Sequence, residues 1–168
     1  YGRMFAETTY ESPGEISFEN VFAPIVEPEI AFRFGKDLTP GSAPFSIEDV
    51  SDAIDSICPA FEIVDCRYAQ GWPITLFPTI ADNGVHAAFI MGEELKDWLS
   101  IDRPAIKVSA EVNGTFVTDG VGANALEDPM NCLVWLLNSC TSRGHSILAG
   151  DLVTTGNTAN KAIHAEPG

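Results

Sequence analysis

Positive charge is scarce in this chain: 9 Lys and Arg stand against 24 Asp and Glu, a net charge of −15. That balance disfavours nucleic acid and anionic membranes as natural partners, since both require a cationic footprint. Any anionic ligand must then find local positive charge. No run reaches the roughly 18 to 20 apolar residues of a membrane span, and no charged-then-apolar leader opens the chain, so a soluble, unexported protein is expected. The C-x-x-C spacing of zinc and redox sites is also missing. Cys58, Cys66, Cys132 and Cys140 lie inside apolar stretches and read as reduced core residues, which fits the cytoplasm. Gly120-Val-Gly122 lacks a third glycine and a surrounding βαβ unit, so it is no dinucleotide signature. Without repeats, low-complexity tracts or linkers, residues 1–168 read as a single domain, and the 45% hydrophobic content suits one sizeable core. The chain starts at Tyr1 rather than Met, and it is expected to be part of something longer.

Acidic residues occur where a strand core is expected. Glu27 and Glu29 interrupt the apolar run 25–34, and Glu62 interrupts the run 58–64. Side chains alternate across a strand, so Glu27 and Glu29 share one face, roughly 7 Å apart, with Val26, Ile30, Phe32 and Phe34 on the other. In sequence their only close cations are Arg33 and Lys36, and that of Glu62 is Arg67. Unpaired carboxylates on core strands carry a heavy desolvation penalty. Two readings follow from the residues alone: ligands for a hard divalent metal, or one wet face of an antiparallel strand.

Around these strands the pattern is mostly β with two helices. The segment to Glu19 is expected to be irregular, with a first strand at about 25–35. Ser46 caps a helix whose apolar face is Ile47, Val50, Ile54 and Ile57, leading directly into the Glu62 strand. Residues 68–78 hold Gly71, Trp72, Pro73 and Pro78 and read as a long loop, with Trp72 expected on a lid over the site. Val85 to Met91 reads as a buried strand, and His86 within it as a packed or hydrogen-bonded structural histidine. His145 and His164 read as surface residues. Alternation from Ala105 to Val117 around Asn113-Gly114 predicts a tight hairpin. Asp128 and Pro129 open a second helix striped by Leu133, Leu136, Leu137 and Cys140, with Trp135 at its edge and Gly144 past its end. Residues 145–155 read as strand, turn, strand.

Five strings, in order, carry a family likeness: Val26-Glu-Pro-Glu-Ile-Ala-Phe32, Ala60-Phe-Glu-Ile-Val-Asp-Cys-Arg67, Ile80-Ala-Asp-Asn83, Gly120-Val-Gly122 leading into Pro129-Met-Asn-Cys-Leu-Val-Trp-Leu136, and Ala149-Gly-Asp-Leu-Val-Thr-Thr-Gly156. Together they resemble the fumarylacetoacetate hydrolase-like superfamily, and within it the 2-keto-4-pentenoate hydratase and 4-oxalocrotonate decarboxylase branch. The Tyr, Asn, Asp and Thr-Ala-Arg pattern of the hydrolase branch is missing. The resemblance implies an α+β, mostly β fold, a mixed β-sandwich roll with flanking helices. It implies Mg²⁺ or Mn²⁺ held by Glu27, Glu29 and Glu62, with Asn83 and Thr155 as candidate substrate contacts. For the last two the alternative is local: Asn83 caps a turn and Thr155 ends a strand.

The implied reaction is a metal-dependent addition of water to a small anionic 2-hydroxy-2,4-dienoate, giving a 4-hydroxy-2-oxo acid, in the breakdown of aromatic compounds. The alternatives are a vinylogous 2-oxoacid decarboxylase, an acylpyruvate-type C–C hydrolase, or a non-catalytic partner subunit. The resemblance also implies a homo-oligomer, or a complex with a decarboxylase or hydratase subunit. The family's acid–base Lys and Asp belong to an upstream subdomain and would fall before Tyr1. Two departures bear on the substrate: Val85 and His86 stand where the family often carries a Ser, and Pro78 where it tends to carry an Asp.

Overall fold

A computed structural model describes residues 1–167. In chain order its elements are β1 (Thr9–Glu11), β2 (Ile25–Phe34), α1 (Ile47–Ala53), β3 (Ile54–Val64), α2 (Leu76–Ala81), β4 (His86–Met91), β5 (Lys107–Val112), β6 (Thr115–Val121), α3 (Pro129–Thr141), β7 (Leu152–Thr154) and β8 (Ile163–His164). The main sheet is mixed and runs β1-β4-β3-β2-β7, with β8 also on β2; β5 and β6 form a separate hairpin. Among the described residues only β1 on β4 is parallel.

Alternation along β2 divides the molecule. Ile30, Phe32 and Phe34 turn to one side and are buried with Val50 and Ala53 of α1, Met130, Leu133 and Leu137 of α3, and Trp98, whose ring meets Phe32 edge to face. The other face carries Glu27, Glu29 and Ala31. There Ala31, Cys58, Ala60 and Phe89 form a second, smaller buried cluster. The expected α+β fold, mostly β with flanking helices, is thus present.

Pro28 lies within a strand that has neighbours on both edges, a position where proline ordinarily breaks a ladder. The far edge of β2 explains it. β8 pairs Ile25 and Val26, β7 pairs Ala31 to Arg33, and residues 27–30 lie in the gap between them. A loop from 155 to 162 fills that gap with side chains. Thr158 donates its N–H (2.8 Å) and its hydroxyl (2.6 Å) to the Pro28 carbonyl, and Thr155 donates its hydroxyl to the Ile30 carbonyl (2.9 Å). Gly120 of β6 lets this loop approach: a Cβ there would stand 1.9 Å from the Thr158 carbonyl oxygen.

Local signals predict several boundaries well. Ser46 and Asp49 form a reciprocal capping box on α1, Asp128 accepts from Met130 N at the start of α3, and Asn113 and Gly114 both have positive φ in the hairpin turn. Other expectations need correction. The lead-in contains a strand, β1, which exists only through its pairing with β4. α1 stops at Ala53, and Ile54 and Ile57 belong to β3, because the apolar spacing continues across the helix–strand junction. Pro78 lies inside α2, not in a loop, and β4 begins at His86, since Val85 has φ +60°. All four cysteines are free, as expected. No helix among the described residues is long and apolar enough to cross a membrane.

Candidate metal centre

Glu27 of β2 lies directly opposite Glu62 of β3 in the antiparallel register, and Glu29, two residues on, lies opposite Ala60. All three side chains therefore project from one face, beside the short side chains of Ala31 and Ala60. One carboxylate oxygen from each falls within 4.8 Å of the others. Glu29 is only 3% exposed, while Glu27 and Glu62 are half-buried.

No lysine or arginine among the described residues pairs with these acids. Arg33, on the same face of β2, is taken by Glu94 at 2.6 Å, and Arg67 by Asp82 at 2.9 Å. The electrostatic consequence is large. Burial, reinforced by Glu62, pushes Glu27 up to about 7. Burial, then Glu62, with a smaller push from Glu27, raises Glu29 to about 8, against the opposing pull of hydrogen bonds from Thr154 and Gly156. Those bonds hold one oxygen: Glu29 Oε2 accepts from the Thr154 hydroxyl and from Gly156 N at 3.0 Å. The other oxygen, Oε1, is buried with no partner. An unpartnered buried carboxylate oxygen among three converging acids fits a hard divalent cation, which favours oxygen ligands and would offset their mutual repulsion.

The centre opens on a cavity of about 790 Å³ whose wall includes Glu29, Glu62, Asn83, His86, Cys132 and Thr155. Both substrate candidates are thus at the cavity, with polar groups engaged by backbone. The Asn83 amide makes paired bonds with Arg3 N (2.7 Å) and O (2.8 Å), and Thr155 donates to Ile30. Burial, and next Glu29, raises the Cys132 thiol above its ordinary value. Trp72 does not line the cavity; its indole N–H is bound to the Ala23 carbonyl at 2.7 Å, which contradicts the expected lid. Sequence reasoning missed Thr154 and Gly156 as supports of Glu29, and the signal available was faint: a three-residue strand followed by a glycine at φ +99°. His86 is hydrogen-bonded as expected, and its partner is Glu62 itself, with Nδ1 to Oε1 at 2.8 Å.

A profile of the fumarylacetoacetate hydrolase C-terminal family matches residues 10–167. The chain belongs to the fumarylacetoacetate hydrolase family. Among its relatives, the TodF product hydratase of Pseudomonas putida is 34% identical over 156 residues, 93% of this chain and 57% of that protein. The 2-keto-4-pentenoate hydratase of Burkholderia vietnamiensis is 32% identical over 156 residues, again 93% of this chain and 58% of that protein. The chain therefore spans under two thirds of the length of these relatives. A solved structure, 4-oxalocrotonate decarboxylase from Pseudomonas putida G7 complexed with magnesium and adipate, superposes with a TM-score of 0.90 at 28% identity, covering 99% of this chain and 62% of that one.

Proposed function

We propose that this chain carries the metal-binding half of a divalent-metal-dependent hydratase, which adds water to a 2-hydroxy-2,4-dienoate of the 2-keto-4-pentenoate type to give a 4-hydroxy-2-oxo acid, a step in aromatic catabolism. The observation that carries this reading is the three-carboxylate centre, with its unpartnered Glu29 oxygen, at a cavity in a chain similar to several hydratases. Glu27, Glu29 and Glu62 hold Mg²⁺ or Mn²⁺. When bound, the cation supplies positive charge for a chelating 2-oxo or 2-hydroxy acid and for the negative charge that develops on its second oxygen. That charge also answers the chain's excess of acid, which would otherwise repel an anionic substrate.

The protein groups have separable tasks. Thr154 and Gly156 N aim Glu29, and Asn83 and Thr155 set the cavity wall against which the substrate lies. Orientation of the water falls to one of the three glutamates or to an upstream residue, and the remaining acid–base chemistry to the upstream Lys and Asp that the resemblance implies. The decarboxylase reading is the second one, supported by the structural likeness to 4-oxalocrotonate decarboxylase.

The test uses the full-length protein with 2-hydroxypenta-2,4-dienoate and Mg²⁺, following loss of dienol absorbance against EDTA-treated and enzyme-free controls. Metal-dependent formation of 4-hydroxy-2-oxopentanoate is expected. An unchanged spontaneous rate, with CO₂ released from a vinylogous 2-oxo diacid, would replace the hydratase by the decarboxylase.

A further inference from the structure

We propose that His86 is a positioning residue of the metal centre: its Nδ1–H, donated to Glu62 Oε1, fixes the orientation of that carboxylate and leaves the second oxygen for the cation. This rests on the metal reading above and goes beyond it, because it assigns a task to a residue outside the three ligands.

Three observations carry it. The first is the contact, 2.8 Å between Nδ1 and Oε1, made by an imidazole that is only 6% exposed. A carboxylate that ligates a cation is ionised and can only accept, so on the metal reading the proton of this hydrogen bond sits on Nδ1.

The second is that the ring is held at more than one point. Nε2 lies 3.4 Å from the Thr8 hydroxyl, next to β1. Arg67 donates to the His86 carbonyl and is itself anchored by Asp82 at 2.9 Å. A ring held from β3 and from the turn before β1, on a backbone that Arg67 anchors, is a fixed donor.

The third is backbone strain immediately before it. Asn83, Gly84 and Val85 have φ of +54°, +72° and +60° in succession. For a β-branched residue such as Val85 this region is a genuine outlier, and it persists only where the surroundings over-determine it. Val85 N donates to Asp82 O at 2.8 Å, and Asp65 N donates to Val85 O at 2.9 Å, so the strained turn is pinned on both sides. Its result is to deliver His86 to the first position of β4, next to Val64 in the register and within reach of Glu62.

The need for such a donor follows from the side chain itself. A glutamate has three rotatable torsions, and a ligand already held in one rotamer loses less conformational freedom when it binds. Glu29 is held by Thr154 and Gly156. Among the described residues, His86 is the side chain that holds Glu62.

The experiment measures Mn²⁺ affinity by electron paramagnetic resonance on full-length wild type, His86→Leu and His86→Asn. Asparagine can present an amide N–H at the same number of bonds from Cα as Nδ1, whereas leucine cannot donate. Loss of an outer hydrogen-bond partner typically weakens metal binding about 10- to 100-fold, which is expected for His86→Leu, with recovery to within about fivefold of wild type in His86→Asn. Wild-type affinity in a folded His86→Leu protein would overturn the role while leaving the metal site intact. Equal loss in both variants would overturn it as well, because packing and not the N–H would then be responsible. A wild type that binds no Mn²⁺ would overturn the metal reading and this role together. Should His86→Leu fail to fold, ¹⁵N spectra of the wild-type imidazole decide: protonated Nδ1 whose signal moves on adding Mg²⁺ supports the assignment, and a neutral ring protonated only at Nε2 overturns it.

Discussion

Glu29 combines deep burial, one oxygen held by Thr154 and Gly156, and one oxygen with nothing to bind. Replacing it by Gln keeps the shape and removes the charge. Glu29→Gln is expected to lose most Mg²⁺ and Mn²⁺ affinity while the metal-free fold melts at the same temperature or higher, since relief of carboxylate crowding stabilises it; calorimetric titration and thermal melts check both. Retained affinity would remove Glu29 from the ligand set. The same crowding sets a pH dependence. Glu27 and Glu29 are raised to about 7 and about 8 from an ordinary 4.5. In metal-free protein the folded state thus keeps protons that the unfolded chain releases above 4.5, so their contribution to stability is full at the acid end and is lost as pH rises through the folded values. In EDTA the melting temperature should be higher near pH 5.5 than near pH 8.5, by at least about 5 °C for a domain of this size, and saturating Mg²⁺ should flatten the difference. A level profile in EDTA would show that the acids are not crowded. Glu94, lowered by its bond from Ser56 and by Arg33, titrates below this window and does not confuse it.

At the scale of elements, the loop 155–162 matters more than its lack of regular structure suggests. Thr158→Val removes the hydroxyl bond to the Pro28 carbonyl but keeps the backbone one, and should cost about 1 kcal/mol, a drop of about 2–4 °C in melting temperature. Gly120→Ala should be far worse, because its Cβ meets backbone and not a movable side chain; failure to purify as a folded protein, or a melting temperature lowered by more than 8 °C, is the expected result on size-exclusion and melting analysis. An alanine variant that melts like wild type would mean the loop does not pack on β6 as described. This contrast also marks what was legible in the sequence. The caps at Ser46 and Asp128 and the Asn113-Gly114 turn are encoded within four residues of where they act, and they were readable. The three glutamates were readable as a group because a charge inside an apolar run is itself a local anomaly. β1 is three residues long and owes its existence to a distant partner, so no window of sequence reveals it, whereas β7 falls in the second strand expected within 145–155. His86 read as a packed or hydrogen-bonded histidine, and its partner was not legible because Glu62 comes from the neighbouring strand; Trp72 looked like a lid because its anchor at Ala23 is equally remote.

For the whole molecule, a charge of −15 acts against compactness at low ionic strength. Raising NaCl from about 10 mM to about 150 mM should raise the melting temperature in EDTA through screening of the exposed acids, but should not replace Mg²⁺, because buried charges are screened much less. A salt response equal to that of Mg²⁺ would argue that no discrete centre exists. The hydrogen bonds that complete the centre also have a consequence for synthesis. Thr154 reaches Glu29 across 125 residues of chain, and Thr158 reaches Pro28 across 130. A chain emerging from the ribosome therefore presents its three acids long before the segment that buttresses them exists. Glu29 gains its buttress only when the segment holding Thr154 and Gly156 has been made.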